Sequence, residues 1–280
     1  MRLSFRNFSF SFPQKTYVMG ILNITPDSFS DGGLFLDGNS AMERALRMEA
    51  EGADIIDIGG ESTRPGSEPV SLEEELQRTI PVIEALSGRL RIPVSIDTYK
   101  SEVARRAIEA GAAIVNDISG LRFDPEMATT LSQYDVALVL MHIKGTPRKM
   151  QENPVYTDLF LEITNYLKES INIATENGIA KERIVIDPGI GFGKTPEDNL
   201  QIINNLDRLS SLCRPVLVGV SRKSFIGKVL NNAPPSERLE GTAAAVAISV
   251  MKGANIVRVH DVKEMARVVR VADAIRKEEV

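Results

Sequence analysis

A short unit occurs three times in this sequence, and this repetition limits the possible folds more than any other feature. In residues 52–57 (GADIID), 111–116 (GAAIVN) and 253–258 (GANIVR), an apolar run begins directly after a glycine. Apolar residues at helical spacing precede the second copy, and Gly111 stands where a left-handed residue would end that helix. Each copy therefore predicts a helix that is followed at once by a strand.

Eight strand-like runs alternate with helical patterns along the chain. They are short and nearly continuous in Val, Ile and Leu, which is typical of parallel strands covered on their outer face. Because a (β/α)8 TIM barrel takes roughly 250 residues, eight such units in 280 residues predict that α/β fold. The runs are residues 17–24, 54–59, 93–98, 113–118, 136–142, 183–187, 215–220 and 255–260.

An open, doubly wound sheet is the alternative architecture, because its interior strands have the same apolar pattern. The glycine-rich stretch 187–195 (DPGIGFGKT) resembles a nucleotide-binding loop at first sight. A phosphate-binding P-loop would need glycine at Pro188, however, and a dinucleotide-binding turn would need glycine at Lys194. The missing fingerprint and the count of eight units favour the barrel.

The N-terminus has its own pattern. Residues 1–12 alternate apolar and polar side chains, which predicts a short strand or hairpin and differs from the continuous apolar core of a signal peptide. We expect residues 1–15 to form a hairpin extension at the barrel floor. We expect residues 1–280 as a whole to form a single domain.

Composition excludes several classes of function. The net charge is -5 and no run of Lys and Arg is present, so nucleic acid is not an expected partner. No segment approaches 18 consecutive apolar residues, which argues against a membrane span. The single cysteine, Cys213, leaves no internal disulfide and no Cys-x-x-Cys site, and it fits a reducing cytoplasm.

Polar residues stand where the predicted strands end, which is the end that carries the active site of a β/α barrel. Because Asp57, Asn116 and Arg258 occupy the same position in the repeated unit, their side chains should point into the barrel. A single strand-end Asp can simply cap the next helix, and a structural role is most open for Asp57, Asp117 and His142. The polar strand ends are Asn23, Asp97, Asn116 and Asp117, Met141 and His142, Asp187, residues 221–224, and Arg258, His260 and Asp261.

These residue types indicate the chemistry of the ligand. Asp97, Asn116 and Asp187 suit the edge of a heterocycle that presents N–H groups beside a carbonyl, which Lys223 can bind. Arg64, Arg258 and His260 suit an anion such as phosphate. The sequence has only two histidines and no thiolate cluster, which argues against zinc. An amide oxygen such as that of Asn23, together with phosphate oxygens and water, would suit Mg²⁺.

Seven motifs in order resemble those of the dihydropteroate synthase family, and the resemblance runs from Tyr17 to the end of the chain. The departure is at Ile143-Lys144, where Met then Gln would be expected, and it affects the local contacts of one loop. The motifs are residues 20–33, 59–66 (GGESTRPG), 95–98, 116–120, 187–194, 221–227 and 258–262.

The resemblance implies condensation of 7,8-dihydropterin-6-ylmethyl diphosphate with 4-aminobenzoate, giving 7,8-dihydropteroate and pyrophosphate, with sulfonamides as competitors of aminobenzoate. It also implies a homodimer, formed through the alanine-rich helix at residues 237–252. The implied pterin site consists of Asp97, Asn116, Met141, Asp187, Gly219 and Lys223. The diphosphate and magnesium site consists of Asn23, Arg258 and His260, and the aminobenzoate site of Phe29, Thr63, Arg64, Pro65, Phe192 and Ser224.

The reaction implied in this way fits the absence of a nucleophilic triad, because an arylamine is neutral at pH 7 and diphosphate leaves readily. Lys223, Arg258 and His260 are then expected to assist catalysis, and Asp31 is hypothesised to stabilise a cationic carbon. Two alternatives stay open: a pterin-dependent methyltransferase acting on a corrinoid, and a pterin-binding module without catalysis. The methyltransferase has no use for Arg258 and His260 as a diphosphate clamp, and the paired loops and the asparagine suited to magnesium argue against the binding module.

Overall fold

Eight parallel strands form a barrel at the centre of the computed structural model, which describes residues 1–24, 37–63 and 66–279. In space the strands follow the order β8, β7, β6, β5, β4, β3, β10, β9, and a parallel bridge from Ile186 to Val216 joins β8 to the chain that leads into β9. The strands are β3 (Tyr17–Asn23), β4 (Ile55–Gly59), β5 (Val94–Asp97), β6 (Ile114–Asp117), β7 (Ala137–Met141), β8 (Ile184–Asp187), β9 (Leu217–Val218) and β10 (Ile256–Val259).

Helices cover the outside of the barrel, as the alternating pattern predicted. Local signals fix several of their ends: Ser71, Asp158 and Thr195 cap helix N-termini with their side chains, and Gly111 ends α3 with a φ of 126°. The helices are α1 (Asp37–Glu51), α2 (Leu72–Leu86), α3 (Ser101–Ala110), α4 (Met127–Ser132), α5 (Leu159–Glu176), α6 (Pro196–Asn204), α7 (Ser224–Val229), α8 (Leu239–Met251) and α9 (Val262–Lys277), with short 3-10 turns at Lys181–Arg183, Leu206–Leu212 and Pro235–Glu237.

The predicted barrel is confirmed, and each predicted strand contains the observed one. The largest difference is in the run 215–220, of which only Leu217–Val218 forms β9. At the start of the run Pro215 has no N–H to donate, although its carbonyl accepts from Ile186 N. Val216 N donates to the side chain of Asn255 and not to a backbone carbonyl. The apolar run is therefore longer than the strand that it forms.

An antiparallel hairpin closes the floor of the barrel. It consists of β1 (Arg2–Phe5) and β2 (Phe8–Ser11), and its alternation turns Leu3, Phe5 and Phe10 inward. These side chains pack with residues from the first halves of the barrel strands, among them Tyr17 and Met19. The hairpin predicted for the N-terminus is therefore present, and the opposite end of the barrel is left for a site.

Candidate active site

One row of side chains crosses four neighbouring strands at the carboxyl end of the barrel. Asn23 on β3 pairs in register with Gly59 on β4, Gly59 with Asp97 on β5, and Asp97 with Asn116 on β6. Residues paired in a parallel sheet point to the same face, so all four face the barrel interior. The polar strand ends predicted from sequence are thus brought together.

Asp57 lies one layer deeper and links two of the predicted residues. Its Oδ2 atom accepts hydrogen bonds from Asn116 Nδ2 at 3.0 Å and from Arg258 Nε at 2.5 Å. The carboxylate has no exposed surface. Asp57 therefore orients its neighbours, which is the structural role that its sequence position left open.

Arg258 forms a second ion pair, between its Nη2 atom and Oδ2 of Asp97 at 2.6 Å. Burial raises the pKa of the Asp97 carboxyl to about 7, against the opposing effect of Arg258. Burial alone would lower the pKa of the guanidinium, but the carboxylates of Asp57 and Asp97 outweigh it and raise this pKa. Oδ1 of Asp57 and Oδ1 of Asp97 are buried without a hydrogen-bond partner among the described residues.

Asp187 and Lys223 approach the same space from β8 and from the start of α7. Burial raises the pKa of Asp187 to about 6, although Gly189 N donates to its Oδ1 atom at 2.7 Å. Burial lowers the pKa of Lys223 to about 8, and its Nζ atom lies 4.2 Å from the centre of the Phe192 ring. An acceptor and a donor therefore face each other next to an aromatic surface.

A buried lysine supports this wall of the site. Lys194 is 2% exposed, and its Nζ atom contacts His142 Nδ1 at 2.9 Å, Gly189 O at 2.9 Å and Phe192 O at 3.0 Å. The charged form of Lys194 can only donate, and with that form His142 carries its proton on Nε2. Burial lowers the pKa of Lys194 to about 7 and the pKa of His142 to about 2. Lys194 thus ties the loop after β8 to the end of β7.

His260 follows β10 and bonds to the serine that follows β9. Ser221 Oγ accepts from His260 N at 3.2 Å and lies 3.0 Å from His260 Nδ1. Because the hydroxyl already accepts one bond, its O–H is free to donate to Nδ1, which favours the tautomer with the proton on Nε2. Burial lowers the pKa of His260 to about 3, so the ring is neutral at pH 7.

The other predicted residues lie at the same end of the barrel. Met141 and Phe192 are buried in a small apolar cluster with Ile118. A side chain at Gly219 would contact the Cβ atom of Arg258, at 4.0 Å. Ser224 begins α7 and is exposed, and Thr63 is partly exposed in the loop after β4.

Four predicted residues cannot be placed. Phe29, Asp31, Arg64 and Pro65 lie outside the described residues. The roles of Phe29, Arg64 and Pro65 stay as implied by the resemblance, and the role of Asp31 stays a hypothesis.

Asp117 has a different role from its neighbours on the strand ends. Its carboxylate accepts bonds from Ser119 N, Ser119 Oγ and Leu121 N, each at 2.7 Å. The side chain therefore stabilises the turn after β6, which is a structural role of the kind that its sequence position left open.

The oxygen atoms near Asn23 determine whether the predicted magnesium ion fits this part of the site. A Cβ atom at Gly59 would lie 3.7 Å from Asn23 Oδ1 and 3.9 Å from Asp97 Oδ2. Because glycine has no Cβ atom, the space between this amide oxygen and this carboxylate stays open. No group of three or more His, Cys, Asp or Glu within the described ranges could hold a metal ion. Magnesium needs few protein ligands when phosphate oxygens and water complete its octahedron, so Asn23 fits that ion and does not fit a protein-only cage.

Sequence reasoning missed several residues that build this end of the barrel. Lys194 falls within the glycine-rich motif and Ser221 among the polar strand ends, but no sequence pattern assigned a partner or a role to either residue. Glu61 and Lys100 form an ion pair at 2.6 Å beside the loop after β4, and nothing in the sequence indicated that Lys100 has two acidic partners.

A helix that crosses a membrane must be both long and apolar. None of the helices of the described residues combines the necessary length with the necessary apolar character.

Taken together, the fold and these strand ends define a (β/α)8-barrel enzyme for a small polar ligand. Comparison with known proteins gives the family. The model of the pterin binding enzyme family matches residues 19–260. Dihydropteroate synthase of Synechocystis sp. is 52% identical over 266 residues, which cover 95% of this chain and 92% of that protein.

Solved structures agree with this match. Yersinia pestis dihydropteroate synthase, in a sulfonamide drug complex, superposes with a TM-score of 0.93 at 42% identity, covering 99% of this chain and 100% of the other. Xanthomonas albilineans dihydropteroate synthase with 4-aminobenzoic acid gives 0.91 at 43% identity, covering 98% of each chain. The chain belongs to the pterin-binding enzymes and, among them, to the dihydropteroate synthases, which are transferases of folate biosynthesis.

Proposed function

We propose that this chain joins 7,8-dihydropterin-6-ylmethyl diphosphate to 4-aminobenzoate and releases pyrophosphate. Family membership and the bound 4-aminobenzoic acid of the Xanthomonas relative support both the reaction and the second substrate. The observation that carries the assignment of residues is the row of polar residues at the carboxyl end of the barrel, with Arg258 paired to Asp97 in this row and to Asp57 beneath it.

The pterin binds against the strand ends at the carboxyl end of the barrel. Asp97 and Asp187 accept hydrogen bonds from its N–H groups, Asn116 supplies an amide, and Lys223 donates to its carbonyl oxygen. Met141 and Phe192 contribute apolar surface, and Gly219 leaves space beside Arg258. Burial supports these roles, because a buried carboxylate gains most from a ligand that donates to it.

The diphosphate binds at the rim, where Arg258 and His260 neutralise the charge that develops as it leaves. Neutral His260 donates from Nε2, since Ser221 occupies Nδ1. Asn23 would hold a Mg²⁺ ion, which supplies electrostatic stabilisation of the leaving diphosphate when it is bound.

The arylamine approaches from the side of the loops after β3 and β4. Thr63, Arg64 and Pro65 form its site with Phe192 and Ser224, and Asp31 stabilises the cationic carbon of the pterin methylene group. The amine is neutral at pH 7, so its nitrogen attacks directly and loses its proton afterwards. No strong general base is required.

A pyrophosphate-release assay tests this function. Purified protein is supplied with the pterin diphosphate, Mg²⁺ and 4-aminobenzoate, and we expect pyrophosphate in proportion to the 7,8-dihydropteroate formed. Pterin binding without release would support a binding module instead, and methyl transfer from a methylated folate to a corrinoid would support the methyltransferase alternative. His260→Ala should slow release and keep pterin binding, because His260 bonds to Ser221 and to none of the residues assigned to the pterin.

We also propose a cytoplasmic homodimer and a single domain that spans residues 1–280. Ile248 and Met251 on α8 and Val271 and Ile275 on α9 are between 48% and 62% exposed, although their helices pack side by side. A second copy would cover this apolar face. Sedimentation should give a dimer for the unchanged chain and a monomer for the Ile248→Asp, Val271→Asp double variant.

A further inference from the structure

Lys100 forms an ion cluster that takes no part in the site described above. Its Nζ atom lies 2.6 Å from Glu61 Oε2, 2.5 Å from Glu75 Oε2 and 2.8 Å from Val70 O. An ammonium group has three N–H donors. Each donor therefore has an acceptor, and the side chain is held in one orientation.

The cluster is largely shielded from water. Glu75 is 1% exposed, and the side chains of Glu61 and Lys100 are 8% and 19% exposed. The hydroxyl of Tyr99 donates to Glu61 Oε1 at 2.7 Å, and the Lys100 ammonium lies 5.0 Å from the centre of the Tyr99 ring. Burying these charges costs free energy, which the contacts between them offset only while all partners are present.

The acceptors of Lys100 lie at the two ends of one loop. Glu61 is at the start of the segment that follows β4, and Val70 is just before α2. Glu61 Oε2 also accepts from Val70 N at 3.4 Å, and Ser67 Oγ donates to Ser62 O. One ammonium group thus joins the chain entering this loop to the chain leaving it.

The loop is also held against α2. A Cβ atom at Gly60 would lie 2.8 Å from Thr79 Cγ2 and 3.1 Å from Glu75 Cγ, so only glycine allows this approach. Arg78 Nη1 donates to Gly60 O at 2.7 Å. The start of the loop is therefore fixed to the same helix that supplies Glu75.

We propose that Lys100 is a positioning residue for the amine substrate, because it holds the ends of the loop that carries Thr63 in the geometry that receives 4-aminobenzoate. This rests on the proposed function of that loop. Lys100 makes no hydrogen bond to a residue assigned to the pterin or diphosphate, so its main effect should be on the second substrate. The charge of Glu75 helps to raise the pKa of Asp97, so KM for the pterin diphosphate is measured alongside. Burial raises the pKa of Glu75, which Lys100 opposes, and this agrees with a site whose charges are balanced by one lysine.

The experiment compares two variants in the pyrophosphate-release assay. Lys100→Met combined with Glu75→Gln removes the ammonium and the more deeply buried of its two carboxylate partners, and Glu61 keeps the hydroxyl of Tyr99 and Val70 N as donors. Lys15→Met is the matched control, because Lys15 also pairs with an acid, Asp54, at 2.5 Å and lies 4.8 Å from a tyrosine ring, but at the barrel floor. Tyr99→Phe removes one bond to Glu61 and serves if the double variant does not fold.

We expect the double variant to raise KM for 4-aminobenzoate by about tenfold, since small displacements of positioning groups have effects of this size. KM for the pterin diphosphate should stay within about twofold, as it should for both substrates in Lys15→Met. If Tyr99→Phe is used, it should change the KM values in the same direction. Unchanged KM values in a folded variant, or equal losses for both substrates, would overturn the proposal.

A second measurement separates this inference from the proposed function. Amide hydrogen exchange in peptides covering residues 61–71 needs no substrate, and it should be faster in the double variant than in Lys15→Met. If the unchanged chain releases no pyrophosphate, the function fails while the loop anchor is still tested. Equal exchange in both variants would remove the anchor itself.

Discussion

The Nε atom of Arg258 lies 2.5 Å from Oδ2 of Asp57, although the two residues are 201 positions apart in the chain. The same oxygen accepts a bond from Asn116, and the other guanidinium contact of Arg258 is to Asp97. One fully buried carboxylate therefore orients a group proposed for the diphosphate and a group proposed for the pterin. The two parts of the proposed site share this support.

Replacing Asp57 should consequently damage both stability and activity. We expect Asp57→Asn to lower the free energy of unfolding by about 3 kcal/mol, because it breaks a buried ion pair and leaves Arg258 with one carboxylate. The displaced guanidinium should reduce kcat/KM for the pterin diphosphate by about a hundredfold. Urea unfolding and steady-state kinetics measure the two effects.

The control for this variant is an exposed pair. Glu102 and Arg105 on α3 have side chains that are 42% and 37% exposed, and Glu102→Gln should change stability by less than about 0.5 kcal/mol. If Asp57→Asn is as stable as Glu102→Gln, Asp57 does not support the site in the way its contacts indicate.

The titration of Asp187 should make the free energy of unfolding fall and the affinity for the pterin rise as the pH increases. Its pKa is about 6 in the folded chain and 3.8 ordinarily, so the folded state holds more protons between these values. Its contribution to stability is present below pH 3.8 and is lost as the pH rises through 6. The carboxylate that accepts from the pterin forms over the same range, so affinity should increase as stability decreases.

Titration calorimetry with a pterin and thermal unfolding of the ligand-free chain, both from pH 5 to pH 7, check this prediction. Affinity should rise by up to about tenfold per pH unit below the pKa of the carboxyl group. Asp187→Asn should bind weakly and lose the step near pH 6. Affinity that falls with rising pH in the unchanged chain would contradict the assigned role.

Ser221 is predicted to act through His260. Ser221→Ala removes the partner of His260 Nδ1, at 3.0 Å, and frees the ring to take the other tautomer or to rotate. We expect kcat/KM for the pterin diphosphate to fall by about tenfold, in the range for loss of one oriented donor. KM for 4-aminobenzoate should be unchanged. Equal effects on both substrates would indicate a general disturbance of the barrel end.

Much of this architecture was predictable because its signals are local. A buried parallel strand needs an unbroken apolar run, and the glycine of each repeated unit ends a helix, so the eight strands could be located within a few residues. Asp97 and Asn116 follow from the same pattern, since the residue at a strand end in a barrel faces the site. The roles of these residues toward substrates remain predictions.

The partners of buried charges could not be predicted, because they depend on distances between remote segments. Asp57 pairs with a residue on β10, and Lys100 pairs with acids 39 and 25 positions away. Lysine is usually exposed, so nothing in the local sequence indicates that Lys194 is buried. Charged residues of this kind become visible only when the strands are closed into the barrel.

Lys194 gives a final prediction that combines packing with titration. Its ammonium satisfies His142 Nδ1, Gly189 O and Phe192 O, so Lys194→Met leaves buried acceptors without a donor and should cost about 2 kcal/mol at pH 7.

The pKa of Lys194 is about 7 in the folded chain and 10.5 ordinarily, so the unfolded chain binds more protons between these values. The contribution of this group to the free energy of unfolding therefore rises with pH over that range. The stability gap between the unchanged chain and Lys194→Met should therefore widen from pH 7 to pH 9, which urea unfolding at both values measures. Lys168→Met, at an exposed side chain on α5, serves as the control and should show no such widening. A gap that narrows with pH would mean that the charged form of Lys194, and not its burial, dominates the stability of this loop.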